Sequence, residues 1–332
     1  MSFTRRDFLQ ASTLLAAPAL GAFPMVSTAS KRTFTYGGSS WLGHYSAHIA
    51  IKAGIFEKKG LNIEWQNFAT SSDRMSAVMS SSIDLAGTGV VSALALMAAG
   101  VTQFKLLTTP NNFGRAEGLL VRSDVSHISQ LKGKKIGVTF ASSTHVLILD
   151  LLKQAGLNAD KDVSLINIPS NNLMSAYQSN QVDAVLAWTP SFDRIKALPN
   201  TKMLADDTSF SLYKSYDITP GPDVILASTK MVKESPDAIK PFLEGIFEAN
   251  AMLSNAPEEA AKLLLPLTGL TLQEQLGVVK GTVWYGAEQQ RELMVQPGNF
   301  VIGMQKLAEM LVSLKQIDRV PAVSKWVDAS YV

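Results

Sequence analysis

Short apolar runs rich in β-branched and aromatic residues alternate with amphipathic runs along the first two thirds of the chain. The short runs predict strands at 32–36, 62–68, 84–89 and 104–108. Between them, apolar residues recur at close to helical spacing and predict helices at 44–53, 71–80 and 91–99. Gly54 closes the first of these, and Ser71 or Ser72 is the expected N-cap of the second. After an extended run at 118–122 and a short segment at 128–131 the alternation restarts. It gives strands at 135–140, 163–168, 184–187 and 202–204, and helices at 144–154, 172–178 and 191–197. A second extended run covers 223–227. From Pro236 the pattern is helical almost to the end, at 237–254, 257–265, 272–278, 300–314 and 323–329.

Strands alternating with helices at this spacing predict an α/β protein with parallel sheets. The second α/β unit lies between two extended segments, near 117–122 and 222–227. The natural reading is two lobes joined by two crossing segments, with residues 30–116 and 225–332 in one lobe and 117–224 in the other. Two independent domains in series are the competing reading. Ligands at such sheets sit at the carboxyl ends of strands, here 37–41, 69–72, 87–90 and 109–112, and hinged closure is a known use of a cleft between lobes.

Within this frame the stretch most open to chemistry is Phe140-Ala141-Ser142-Ser143-Thr144-His145, between a strand and a helix. Free backbone N–H groups and hydroxyls at a helix start suit an anion; the plainer reading is that Ser142 or Ser143 is only an N-cap. Gly87-Thr88-Gly89-Val90 is a second tight turn into a helix, or only a turn. Trp188 ends a strand before Thr189-Pro190, either over a ligand stem or in a lobe core. Glu117 and Asp223 stand at the two crossing segments. Two carboxylates near a hinge suit an ammonium group, with solvated surface charge as the alternative. Trp41, His44 and Tyr45 follow the first strand as a first-lobe wall, or pack in the core at helical spacing.

Composition narrows the classes. The chain has 332 residues, 46% hydrophobic and 17% charged, which describes a soluble globular protein of two-domain length. A net charge of +2 gives nucleic-acid binding no electrostatic support. The absence of cysteine excludes disulfides, zinc–thiolate sites, iron–sulfur clusters and thiol nucleophiles. Thr4-Arg5-Arg6-Asp7-Phe8-Leu9-Gln10 resembles a twin-arginine export signal. A weakly apolar run follows from Ala11 to Val26, with small residues for cleavage before Ser30. Pro18, Gly21 and Pro24 interrupt that run too often for a membrane span. Residues 1–29 are therefore expected to be an export signal, leaving a soluble protein in the periplasm.

Several segments resemble the periplasmic solute-binding proteins of the nitrate, sulfonate and taurine ABC importers. Ile49 through Leu61 is similar to the family's first helix and its G-x-F-x-x-x-G-L tail. Ser82 through Gly89 is similar to its third strand, and Leu131 through Val138 with Ser142 through His145 to the opening of its second lobe. Gln181 through Pro190 resembles its G-x-x-D-A-x-x-x-W-x-P segment. Val279 through Thr282, Ala287 through Gln290 and Arg319 through Val323 are most similar to the taurine-binding branch.

The resemblance implies a type 2 periplasmic binding fold with the ligand in the interlobe cleft, no catalysis, no cofactor and no metal. It also implies delivery of a small anionic or zwitterionic solute to a membrane permease, and we expect a monomer. By the same resemblance Ser142, Ser143, Thr144 and His145 are the second-lobe anion segment, and acidic residues match at Glu117 and Asp223. The expected ligand is a taurine-like amino-sulfonate, contacted by these six and by Trp188, Gly89, Val90, Trp41 and His44. An amine-free alkanesulfonate, another small anion or zwitterion, and presentation of solute to a sensor receptor are the alternatives. Enzymes of the same architecture that depend on cysteine have no counterpart here. Ser143 and His145 are two residues apart at a helix start with no nucleophile elbow, which argues against a hydrolase.

Overall fold

The computed structural model describes residues 32–112, 114–295 and 298–332. The export segment expected at 1–29 lies outside the described residues. The strands are β1 (Thr33–Gly38), β2 (Asn62–Asn67), β3 (Leu85–Gly89), β4 (Phe104–Thr108), β5 (Asn111–Asn112), β6 (Glu117–Arg122), β7 (Lys135–Val138), β8 (Ser164–Asn167), β9 (Ala184–Trp188), β10 (Thr201–Asp206), β11 (Asp223–Ser228) and β12 (Val283–Trp284). They form one five-stranded sheet in the order β2-β1-β3-β11-β4, a second in the order β10-β6-β9-β7-β8, and a two-stranded ribbon of β5 and β12.

Both large sheets are mixed rather than purely parallel. β1 runs parallel to β2 and β3, and β7 runs parallel to β8 and β9. β11 is antiparallel to β3 and β4, and β6 is antiparallel to β9 and β10. The two antiparallel strands are the ones that begin just after the chain passes from one sheet to the other. A strand entering a sheet from the far side meets the carboxyl ends of its neighbours, so its first residue lands at those ends, where α/β sheets generally bind ligands. Asp223 is thereby placed opposite Gly89, and Glu117 opposite Trp188.

The expected helices form with small shifts at their ends, and two departures have clear causes. The N-cap of helix Ser71–Met79 is Thr70, whose hydroxyl accepts from the Asp73 N–H at 3.1 Å. The segment expected as a helix at 323–329 gives only a single 3₁₀ turn, Val323–Lys325. β4 has a free edge, and the chain runs along it instead: Leu106 N–H donates to Trp326 O at 2.8 Å, and Asp328 N–H to Leu106 O at 2.9 Å. Helices Ile55–Lys58, Tyr213–Tyr216, Thr229–Glu234 and Ala287–Met294 are additional to those expected.

Helix Ile239–Asn255 covers the first sheet through Ile239, Phe242, Leu243 and Ile246. Phe242 stacks on Phe56 at 5.2 Å and lies 6.2 Å from the Tyr36 ring. A second buried cluster runs through both sheets, from Val90, Leu94 and Phe104 to Leu119, Ile136 and Leu147. Helix Asn299–Ser313 packs here, and a Cβ on its Gly303 would sit 3.2 Å from the Ile218 side chain. Among the described residues no helix is long and apolar enough to cross a membrane.

Phe242 joins the helix to Phe56 and to the Tyr36 ring of β1. Phe242→Ala is expected to cost about 3–5 kcal/mol, to be measured by denaturant unfolding with the slope unchanged.

Candidate functional site

The polar centre of the molecule is built where the chain changes sheets. Asp223, the first residue of β11, is 1% exposed. The Trp41 indole N–H donates to its Oδ2 at 2.8 Å, and the Thr109 hydroxyl donates to its carbonyl at 2.9 Å. Gly43 is pressed against the carboxyl group: a Cβ there would lie 2.0 Å from Oδ2, so only glycine fits. Burial pushes the Asp223 carboxyl up to about 7, against the opposing pull of the Trp41 N–H and the Arg74 charge.

Glu117, the first residue of β6, is equally buried. The Ser143 hydroxyl donates to its Oε2 at 2.5 Å, while Oε1 has no hydrogen-bond partner. Burial holds this carboxyl well above its usual range. Asp207 and Asp223 add to the shift, and the Ser143 bond opposes it. The neighbouring Asp207 is taken up structurally by the Arg115 and Ala116 amides.

The helix start at Ser143 is reached through Ala141, held at φ 56°, a left-handed conformation that a non-glycine residue adopts at some cost. Ser142 is then the N-cap. Its Oγ accepts from the His145 N–H at 3.3 Å, donates to Thr139 O at 2.6 Å and lies 2.8 Å from the Thr144 hydroxyl. Thr144 is buried in this local set. His145 stacks on Phe140 at 4.5 Å, with Nδ1 3.4 Å from the Ala141 N–H, and burial lowers its pKa. Of the four residues expected on an anion, three are thus engaged in making the turn, and Ser143 alone reaches across to an acidic group. Gly221 of the return crossing packs on it; a Cβ there would sit 2.2 Å from the Ser143 Cβ.

The opposing turn behaves similarly. Val90 donates its N–H to Pro222 O at 2.8 Å and buries its side chain in the core, so the amide expected to face a ligand is already bonded. Gly89 has open space where a Cβ would stand.

Trp41 from the first lobe and Trp188 from the second meet edge to face at 6.4 Å and 79°. His44 is fully buried, with Nδ1 3.4 Å from the Tyr36 hydroxyl and Nε2 unpartnered. Burial and the nearby Arg74 charge keep the imidazole neutral, far below its ordinary pKa. Tyr45 does not join this group; it is buried in the core and stacks on Trp284 at 6.3 Å. Sequence reasoning missed Arg74, in the first turn of the helix that follows β2. Its Nε donates to Gly87 O at 2.6 Å and its Nη2 to Ser71 Oγ at 3.0 Å. The available signal was its place, two residues past the strand-end segment 69–72 expected to face a ligand. Among the described residues no group of three or more acidic or histidine side chains is arranged to hold a metal ion.

Two mixed α/β lobes joined by two crossings, with polar side chains gathered at the crossings, constitute the fold of the periplasmic binding proteins. The periplasmic aliphatic sulphonate binding protein SsuA from Escherichia coli aligns with a TM-score of 0.75 at 21% identity, over 90% of this chain and 92% of that one. The chain belongs to the NMT1/THI5-like family, whose sequence model matches residues 41–260. It is 26% identical to the taurine-binding periplasmic protein of Escherichia coli (strain K12), over 94% of each chain. It is 28% identical to a putative aliphatic sulfonates-binding protein of Bacillus subtilis (strain 168), over 83% of this chain and 79% of that one.

The Asp223 shift has a consequence for stability. Burial raises its carboxyl to about 7 in the folded protein, against 3.8 when unfolded. The folded state therefore holds the extra proton between those values, and that stabilisation is present at low pH and lost as pH rises toward 7. Asp223→Asn is expected to gain on the wild type steadily from pH 4 to 7 and then level off, read as the difference between paired thermal melts. A difference that stays flat over that range contradicts the assignment.

Proposed function

We propose that this chain is the extracytoplasmic solute-binding component of an ABC importer, and that its solute is a small amino-sulfonate such as taurine. The observation that carries the reading is the pair of buried carboxyl groups at the crossings. Asp223 and Glu117 are each 1% exposed, and Glu117 Oε1 has no partner. A buried carboxylate without a counter-charge is costly, and a ligand ammonium group supplies one. Nitrate or a plain alkanesulfonate has no use for these groups and is repelled by them once ionised. The names of the relatives support the sulfonate half of the reading, and those relatives are binding proteins rather than enzymes.

In this reading residues 30–116 and 225–332 form one lobe and 117–224 the other, hinged near 117–122 and 222–227. The ammonium group lies against Asp223 and Glu117. Trp41 and Trp188 flank the aliphatic stem, and Ser143, Gly89 and His44 complete the lining. Ser142, Thr144, His145 and Val90 support the walls from behind. The protein acts as a monomer, is exported on a twin-arginine-type signal, and hands its solute to a membrane permease.

Calorimetry across taurine, its longer homologues, alkanesulfonates and nitrate tests the reading. Taurine or a homologue should bind tightest, and Asp223→Ala should weaken that ligand by about 2–5 kcal/mol, as for a truncated buried charge partner. Preference for the amine-free ligands sinks the ammonium half.

A further inference from the structure

Arg74 is the only buried Lys or Arg among the described residues, at 3% exposure. A guanidinium has five N–H donors. Here Nε bonds a carbonyl and Nη2 a hydroxyl, both neutral, and Nη1 bonds to no described residue. No described carboxylate forms an ion pair with it. Asp223 is near enough to feel its charge, but hydrogen-bonds to Trp41 instead. Buried charges in folded proteins are paired or hold something that pairs them. Arg74 also stands in the right place. Its helix follows β2, and its side chain reaches Gly87 O near the carboxyl end of β3, the edge where α/β sheets bind ligands.

His44 lies beside it. A Cβ on Gly87 would come within 2.5 Å of His44 Nδ1 and 2.6 Å of the Tyr36 hydroxyl, so these groups crowd the same strand end. In the tautomer whose Nδ1 accepts from that hydroxyl, Nε2 carries the ring proton and is an unpartnered buried donor. A guanidinium and a neutral imidazole N–H together suit an oxyanion. The other helix start is a poor second choice. Ser142 and Thr144 are engaged with each other and with the turn, and Ser143 holds a carboxyl group that an anion would meet directly.

We propose that Arg74, with His44 as the second donor, receives the oxyanion group of the solute, so that the ligand lies with its anionic end in the first lobe and its ammonium end toward Asp223 and Glu117. This rests on the amino-sulfonate reading and gives that ligand a direction.

Taurine titrations of the wild type, Arg74→Lys and Arg74→Gln test it, together with the ¹⁵Nε resonance of Arg74, identified by its absence from the Arg74→Lys spectrum. Arg74→Gln should weaken taurine binding at least about 100-fold, with the lysine variant recovering part of the loss. The Arg74 resonance of the wild type should shift on adding taurine, which a merely structural arginine would not do. If Arg74→Gln does not fold, the resonance decides alone. Binding within about threefold of wild type in Arg74→Gln, or an unmoved resonance at saturating taurine, overturns the proposal. If the wild type binds no sulfonate, the amino-sulfonate reading is what fails. Sodium sulfate against sodium chloride at matched ionic strength then decides Arg74 separately: a sulfate-specific shift upholds the oxyanion site, and none overturns it.

Discussion

The rest of the site depends on one constraint, the burial of an acidic side chain at each point where the chain changes sheets. Ionised and alone, such a group is expensive to bury, and the surrounding residues are arranged to limit that cost. Trp41 turns its indole N–H onto Asp223, Ser143 turns its hydroxyl onto Glu117, and Gly43 yields space that any side chain would fill. Both carboxyls are also held above their ordinary range by burial. The antiparallel entry of β6 and β11 is what puts these residues at the carboxyl ends of β3 and β9.

The remaining contacts at the crossings belong to the backbone. Val90 N–H is bonded to Pro222 O, and Gly221 lies against Ser143. A helix start that also caps itself and docks a crossing has few groups left for a ligand. In the proposed reading the hydroxyl-rich run at 142–145 serves as a rigid frame for Ser143. Tryptophans from the two lobes meeting at 6.4 Å give the frame an apolar wall on each side.

Much of this was legible in the sequence, for physical reasons that can be named. Alternating patterns mark strands and helices wherever one face is buried, so β1 to β4 and β7 to β9 are visible as short apolar runs. Acidic residues at Glu117 and Asp223 stand out because they begin otherwise apolar strands. Strand direction was not legible, because an apolar run reads the same whichever way it enters a sheet. The segment 323–329 has helical spacing, yet the open edge of β4 takes its backbone bonds, a choice made by a partner more than 200 residues away in the chain. Arg74 was hidden for the opposite reason. A cation in the first turn of a polar helix is ordinarily solvated, and only the fold shows that its head turns inward to Gly87.

Charge distribution links these parts into one device. The first lobe contributes the buried cation Arg74, the second contributes Glu117, and Asp223 lies at the crossing between them. Arg74 and the carboxyls hydrogen-bond to neutral groups rather than to each other, although Asp223 is near enough to feel the Arg74 charge. In the proposed reading a solute with one charge at each end pairs with Arg74 at one end and with the carboxyls at the other. Its own net charge is zero, so long-range attraction to the protein is weak, while the local pairings it makes are shielded from salt by the walls around them. On that proposal the pairings that select the ligand also favour bringing the lobes together, because the solute bridges Arg74 and the carboxyls.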